Sequence, residues 1–364
     1  MPGPIQRSLL AATVLLMAAA GSGLWGAETG PAKLSFSADG TAHVPAFDLP
    51  PSAFMSKEAV ERLKGRAGVQ SPAMAPSADI VEARRRVEQL LAPAVVIMRA
   101  RYAVDIVEQK VAGVPARIVT PKGGATDRKR ILINVHGGGF AWCADACRYL
   151  ESTPIAATGG FKVISIDYRQ APEAVFPAAS EDVAAVYREL LKSYKPSQIG
   201  IYGCSAGGAL SAQAAAWLPA HGLPQAGAIG VFGAGAARMG LGDSNWLAPA
   251  IDGVFPRPSA SGGILGKPPY RDYFTWADRN NPMVSPAMYP EVLAKFPPTL
   301  IITGTRAPDL SAAVFTHSQL VKAGVPGDLI VGEGMDHCYI NWANLPESQD
   351  AYQAIVKFFR DHLG

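Results

Sequence analysis

The stretch IGIYGCSAGG, residues 199–208, decides the fold of this chain. It begins as an apolar run, as expected for a strand that is buried on both faces. Gly203-Cys204-Ser205-Ala206-Gly207 then fits the pattern G-x-S-x-G, and a run of small residues typical of a helix follows. A strained serine between a strand and a helix needs glycine neighbours that clear both elements. The pattern therefore predicts Ser205 as a nucleophile; the alternative is a plain tight turn.

A second glycine motif supports this prediction. His136-Gly137-Gly138-Gly139-Phe140 directly follows the apolar stretch at 130–135, and glycines after a strand leave backbone N–H groups unobstructed. Such donors can stabilise the oxyanion of an acyl-transfer intermediate, and an H-G-G-G segment accompanies the serine turn in lipases and esterases. The alternatives are a flexible turn or a phosphate loop, and the absence of a G-K-[ST] sequence disfavours the phosphate loop.

One histidine has the position of a general base. His337 lies in the segment EGMDHC, residues 333–338, directly after the last predicted strand. In folds of this kind the base stands on a late loop at the ends of the strands, so we predict His337 as the partner of Ser205. The other histidines lie in the glycine motif, the leader, loops or helices, and they are His136, His43, His221, His317 and His362.

Short apolar runs alternate with helical patterns from about residue 104 onwards. This alternation predicts the α/β class, with a mostly parallel central sheet and helices on both faces. Strands are predicted at 103–107, 116–119, 130–135, 163–166, 199–202, 228–232, 299–303 and 328–331, and helices at 56–101, 180–194 (capped by Ser180), 207–218, 311–323 and 348–362. Residues 239–298, rich in Pro, Gly and aromatics, are too long for a plain loop and predict an insertion that folds over the end of the sheet.

From about residue 100 to the C terminus, the sequence resembles the hormone-sensitive-lipase-like serine esterases. Five segments occur in that family's order: 136–140, 167–173 (DYRQAPE), 203–208, 304–306 and 333–337. The resemblance implies an α/β-hydrolase fold with a helical cap and cleavage of short- to medium-chain carboxylic esters without a cofactor. It also implies that Gly138, Gly139 and Ala206 supply the oxyanion-binding N–H groups, and that the DYRQAPE segment supports the site. No metal site is predicted.

The acid of the predicted triad departs from the family pattern. That pattern would place an Asp directly after Gly304-Thr305-Arg306, where this chain has Ala307 followed by Pro308 and Asp309. We expect Asp309 to reach His337 by a shifted loop path.

Other assignments of the acid stay open on the sequence alone. In one alternative, Asp309 only flanks or caps the following helix and does not contact His337. Asp336 and Glu333 are then the substitutes. A dyad of Ser205 and His337 without an acid would hold the imidazole tautomer poorly and lose much of the rate.

Composition excludes several classes of protein. The chain has 364 residues, of which 49% are hydrophobic, with 33 basic and 30 acidic residues and a net charge of +3. The apolar content supports a large core and disfavours disorder. Without a long basic block, a nucleic-acid partner has no electrostatic support, and 6 His and 4 Cys disfavour a metal-rich or disulfide-scaffold protein.

The N terminus reads as a targeting segment. Residues 1–27 combine a basic start, a short apolar run and small residues, which predicts a cleaved secretory signal peptide; an uncleaved anchor is the alternative. Residues 28–100 are then a leader and the N-terminal helical part of the cap, and residues 101–364 the catalytic domain. The mature protein is expected to be secreted or periplasmic, with no stable membrane span.

Export permits disulfides, but the pairing of the cysteines stays open. The four positions, which allow three connectivities, are Cys143, Cys147, Cys204 and Cys338. We expect them to be buried free thiols.

These predictions together favour an exported serine carboxylesterase acting on short- to medium-chain or aromatic esters. The expected partner is a small-molecule ester; oligomeric state is not predicted. The alternatives are an amidase or peptidase using the same residues, and a weakly catalytic or non-catalytic binding protein on the same scaffold.

Overall fold

The computed structural model describes residues 33–66, 79–252, 255, 258 and 270–364. The predicted signal peptide at 1–27 lies outside the described residues and stays a prediction. The chain divides into two compact units, residues 1–50 and 51–364. In the described part of the first unit, strands β1 (Ser35–Phe36) and β2 (Ala42–His43) pair antiparallel.

The second unit is built on an eight-stranded sheet. Its strands are β3 (Val104–Val111), β4 (Val114–Pro121), β5 (Ile131–Val135), β6 (Lys162–Ile166), β7 (Ile199–Cys204), β8 (Ala228–Phe232), β9 (Thr299–Gly304) and β10 (Gly327–Gly332). They lie in the order β10-β9-β8-β7-β5-β6-β4-β3. β4 runs antiparallel to β3 and β6, and every other pair is parallel. The predicted mostly parallel sheet is confirmed.

Helices cover both faces of this sheet. They are α1 (Lys57–Lys64), α2 (Ile80–Arg101), α3 (Ala146–Gly159), α4 (Ala178–Leu190), α5 (Ala206–Ala220), α6 (Ser244–Ile251), α7 (Pro290–Leu293), α8 (Leu310–Lys322) and α9 (Pro346–His362). Along β5, Ile131 and Ile133 join a core with α4, α5 and α8, whereas Leu132 joins a core with α2, α3 and α9. The strand is thus buried on both faces, because successive side chains point to opposite sides.

The start of α4 differs from the prediction. The helix begins at Ala178, with Pro177 in the capping position. Ser180 is therefore inside the first turn, is buried and does not cap the helix. A proline is tolerated at this point because the backbone N–H groups at a helix start have no intrahelical acceptor.

The insertion predicted at 239–298 contains α6, α7 and a 3-10 turn at Pro286–Met288 in its described part. Tyr273 stacks on Phe140 of the glycine motif at 4.7 Å between ring centroids, and Phe274 contacts the same ring edge-on at 5.2 Å. The insertion therefore contacts the loop after β5, and its function as a cap stays a prediction. Within the described ranges, no helix combines the length and apolar character needed to cross a membrane.

Candidate active site

Ser205 occupies a sharp turn between β7 and α5. Its φ is +59°, in the left-handed region, and its N–H donates to the carbonyl of Phe232 at 2.8 Å. A Cβ on either Gly203 or Gly207 would collide with the carbonyl oxygen of Val135. Both glycines are therefore needed for this turn to pack beside β5.

His337 contacts the serine hydroxyl. Its loop follows β10, and Nε2 lies 2.9 Å from Ser205 Oγ, within hydrogen-bonding distance. Phe255, from the predicted insertion, packs edge-on against the imidazole with 5.1 Å between centroids. The histidine side chain is only 11% exposed. Ser205 and His337 are thus brought together as the sequence predicts.

Asp309 completes a continuous hydrogen-bonded chain. Its Oδ1 lies 2.6 Å from His337 Nδ1, and its Oδ2 accepts from the Thr303 hydroxyl at 2.6 Å. Although Asp309 directly precedes α8, its side chain makes no capping hydrogen bond. The loop reaches this place through a tight turn in which the Ala307 N–H donates to the carbonyl of Gly304. The expected shifted path is therefore present.

The two substitute acids face elsewhere. Asp336 is buried and forms ion pairs with Arg62 of α1 and with Arg66, which follows α1. Burial works against its charged form, yet the two guanidinium groups hold the pKa of Asp336 below its usual range. Glu333 is exposed after β10. In the described part of the chain, no hydrogen bond or ion pair joins either carboxylate to His337.

The glycine loop curls against the serine. Gly138 and Gly139 have φ values of +114° and +60°, and the Gly138 carbonyl accepts from the N–H groups of Ala141 and Trp142. A Cβ on Gly137 would lie 3.4 Å from Ser205 Cβ, so the loop lies directly beside the hydroxyl-bearing carbon.

Three N–H groups near Ser205 are candidates for binding an oxyanion. Among the hydrogen bonds of the described residues, the N–H groups of Gly138 and Gly139 have no protein acceptor. Ala206 is the first residue of α5, where an N–H lacks an intrahelical partner. Their assignment as oxyanion donors stays a prediction.

Glu151 is a residue that the sequence analysis missed. It is buried in α3, its Oε1 accepts from the Gly137 N–H at 2.8 Å, and its Oε2 accepts from the Cys204 N–H at 3.1 Å and from Asn134 Nδ2 at 3.1 Å. Burial raises the pKa of Glu151 to about 8. One carboxyl group thus joins the glycine loop to the serine turn. The only signal in the sequence was a lone acidic residue in the predominantly apolar stretch before β6.

The segment 167–173, predicted to support the site, contacts both the glycine motif and α4. Tyr168 donates its hydroxyl to the carbonyl of His136 at 2.7 Å and stacks on the imidazole at 4.5 Å. Burial lowers the pKa of His136 to about 3, so this histidine is neutral. Arg169 binds Asp182 of α4, which fixes the loop after β6.

The expectation of free thiols is wrong. The cysteines form two disulfides, Cys143–Cys147 and Cys204–Cys338. The first joins residues a few positions apart before and within α3. The second joins residues 134 positions apart, which are neighbours only because the fold places the serine turn beside the histidine loop. That proximity could not be read from the cysteine spacing.

No group of three or more metal-ligating side chains is found in the part of the chain that the structure describes. The hydrogen-bonded chain from Ser205 through His337 to Asp309 is an arrangement suited to nucleophilic catalysis with a general base.

Comparisons with known proteins identify the family of the fold. Residues 132–341 match the family described as alpha/beta hydrolase fold. An acetyl-hydrolase of Streptomyces hygroscopicus is 28% identical over 243 residues, 65% of this chain and 77% of that protein. The crystal structure of an esterase E25 matches 88% of this chain and 99% of its own at 29% identity, with a TM-score of 0.76. An esterase from the bacterial hormone-sensitive lipase family matches 85% and 99% at 27% identity, with a TM-score of 0.72. The structural neighbours thus include an esterase of the bacterial hormone-sensitive lipase family, and the family match shows that the chain belongs to the α/β-hydrolase fold family.

Proposed function

We propose that this protein is a serine carboxylesterase that hydrolyses short- to medium-chain or aromatic carboxylic esters through an acyl-serine intermediate. The observation that carries the proposal is the unbroken chain of contacts Oγ–Nε2 and Nδ1–Oδ1, at 2.9 and 2.6 Å. The relative from Streptomyces, an acetyl-hydrolase by name, supports a short acyl group.

In the proposed first half-reaction, Ser205 Oγ attacks the ester carbonyl carbon while His337 Nε2 accepts the hydroxyl proton. Asp309 accepts the Nδ1–H hydrogen bond and stabilises the imidazolium that forms. His337 then gives its proton to the departing alcohol oxygen as the C–O bond breaks. Water repeats the sequence on the acyl-serine: His337 accepts its proton and returns it to Ser205 Oγ as the carboxylic acid leaves.

Backbone donors complete the proposed site. Gly138, Gly139 and Ala206 would direct their N–H groups at the carbonyl oxygen as it becomes negative. Donors of this type contribute roughly 3–4 kcal/mol each in the transition state, since they are fixed before the reaction begins. The positive end of α5 adds to the same stabilisation.

The site is proposed to work outside the cytoplasm. The predicted signal peptide at residues 1–27 supports export, as do the two disulfides, because disulfides persist mainly in oxidising compartments. The mass of the protein recovered from the periplasm or medium tests this proposal, since cleavage would remove about the first 27 residues.

Exchanging the nucleophile tests the proposal. We expect Ser205→Ala to abolish turnover of p-nitrophenyl acetate and butyrate, with its circular dichroism spectrum and Tm close to those of the wild type. The matched p-nitroanilide is the control for amide hydrolysis: faster wild-type turnover of the anilide than of the ester would favour the amidase alternative. Unchanged ester turnover by Ser205→Ala would remove Ser205 as the nucleophile.

A further inference from the structure

The second disulfide joins the chain neighbours of Ser205 and His337, the two residues between which the proposed reaction moves a proton. Cys204 immediately precedes Ser205, and Cys338 immediately follows His337. Their sulfur atoms are bonded. A short covalent path therefore runs from the serine backbone through the disulfide to the histidine backbone, in addition to the hydrogen bond between their side chains.

The elements that carry the two residues are otherwise far apart in the sheet. Ser205 follows β7 and His337 follows β10, with β8 and β9 between them. The backbone of the serine turn is fixed on its own side, since the Cys204 N–H donates to Glu151 and the Ser205 N–H donates to Phe232. The carbonyl of Cys338, by contrast, accepts only from the nearby N–H of Asn341 among the hydrogen bonds of the described residues. The disulfide is the covalent bond that connects the histidine loop to the serine turn.

One side of the disulfide packs closely against the backbone that follows β8. Gly233, at the end of β8, has a φ of +53°, and a Cβ there would lie 2.8 Å from the sulfurs of both Cys204 and Cys338 and 3.3 Å from His337 Cε1. The Gly233 N–H is held by the carbonyl of Ile302 at 2.8 Å. Cys204 itself is fully buried. The backbone of Gly233 therefore packs against the disulfide and the imidazole together.

We propose that Cys204 and Cys338 are positioning residues, whose disulfide fixes the separation of Ser205 Oγ and His337 Nε2 for proton transfer. This inference rests on the proposed esterase function. The disulfide is connected to both residues through one peptide bond on each side. Its loss is expected to affect the chemical step more than substrate binding, because a displacement of about 1 Å in a reacting group can cost on the order of 100-fold in rate.

The test compares two disulfide deletions of equal size. We expect Cys204→Ala/Cys338→Ala to lower kcat for p-nitrophenyl butyrate by about 10- to 100-fold with KM within about twofold, when assayed well below the Tm of the variant. Labelling of Ser205 by a fluorophosphonate should slow in parallel. The control Cys143→Ala/Cys147→Ala removes a disulfide that connects neither Ser205 nor His337. Since Cys143 packs beside Gly138, we expect a fall in kcat that is clearly smaller than that of the first variant, even if the Tm of the control falls as much.

A merely structural disulfide would lower Tm in both variants and leave both kcat values near that of the wild type; this result would overturn the proposal. So would free thiols at 204 and 338 in the purified, active wild-type protein, measured by alkylation and mass spectrometry. Failure of the esterase proposal itself is distinguishable, because then the wild type would neither turn over the ester nor be labelled at Ser205.

A second measurement applies if the double variant does not fold. The variant Cys143→Ala/Cys147→Ala, which keeps only the Cys204–Cys338 disulfide, is treated with dithiothreitol, whose two thiols deliver two electrons and two protons to that bond and form a cyclic disulfide. A fall in kcat at constant far-ultraviolet circular dichroism, reversed by reoxidation, supports the proposal. Unchanged kcat with residues 204 and 338 shown to be reduced contradicts it.

Discussion

At the scale of single residues, the site depends on one aspartate that the family pattern does not place. The sequence could give Ser205 and His337, because each lies in a motif whose spacing from a strand end is fixed. The sequence could not determine which acid contacts His337. Asp309 lies beside the imidazole because the chain turns between Gly304 and Ala307. A loop conformation of that kind depends on tertiary contacts rather than on residue spacing.

Removing the charge of Asp309 tests its proposed part in the reaction. We expect Asp309→Asn to lower kcat by about 10³- to 10⁴-fold, since an amide at this place favours the wrong imidazole tautomer. Steady-state kinetics with p-nitrophenyl butyrate at fixed pH measure the effect.

The matched control for that variant is Asp336→Asn, which lies next to His337 in sequence but pairs with Arg62 and Arg66. It should lose stability, because two arginines lose a buried partner, while kcat well below its Tm stays within about threefold of the wild type. If Asp336→Asn lowered kcat strongly and Asp309→Asn left it unchanged, Asp336 rather than Asp309 would be the acid that contacts His337 in the reaction.

At the scale of elements, Glu151 ties the loop after β5 to the turn after β7. Its carboxyl group accepts from the N–H groups of Gly137 and Cys204, and it receives a third hydrogen bond from Asn134 of β5. A lone acidic residue before β6 was the only signal in the sequence, and it could not show the contacts of Glu151, because these depend on which backbone groups two other elements present to it. The Cys204–Cys338 pairing escaped prediction for a similar reason, because it depends on how the fold places two distant loops.

The raised pKa of Glu151 predicts how stability changes with pH. The carboxyl group binds a proton more tightly in the folded protein, at a pKa of about 8 against an ordinary value of 4.5. Its contribution to the free energy of unfolding is therefore fully present below about pH 4.5 and is lost as the pH rises to about 8. The expected loss is about 3–5 kcal/mol.

Glu151→Gln removes this titration and should flatten the profile. We expect the wild type minus Glu151→Gln difference in unfolding free energy to fall steadily from pH 5 to pH 8 in urea titrations. Glu58→Gln, an exposed exchange at the start of α1, is the control and should parallel the wild type. A difference for Glu151→Gln that stays constant or rises with pH would contradict the account.

At the scale of the whole molecule, the parallel sheet explains why distant segments form one site. The glycine loop, Ser205, Asp309 and His337 follow β5, β7, β9 and β10, whose carboxyl ends meet at one edge of the sheet. Functional groups in parallel α/β sheets collect at this edge. The alternation of apolar strands and helices was sufficient to predict this architecture, because strands buried on both faces leave a nearly continuous apolar signal in the sequence.

Three ion pairs join the region around α1 to the histidine loop and to the end of α6, and the sequence did not indicate them. Arg62 of α1 and Arg66, which follows α1, bind Asp336, the residue before His337, and Arg66 also binds Asp252 after α6. These contacts join segments that are far apart in the sequence. Charge spacing along a single helix therefore could not predict them.

The central claim is that Ser205 carries the acyl group during ester hydrolysis. The most direct measurement is peptide mapping by mass spectrometry after the enzyme is mixed with p-nitrophenyl butyrate and quenched in acid within the first turnover. The account predicts a butyryl group on Ser205 in the wild type and none in Ser205→Ala. A butyryl group on another residue, or rapid ester turnover with Ser205 never acylated, would contradict it.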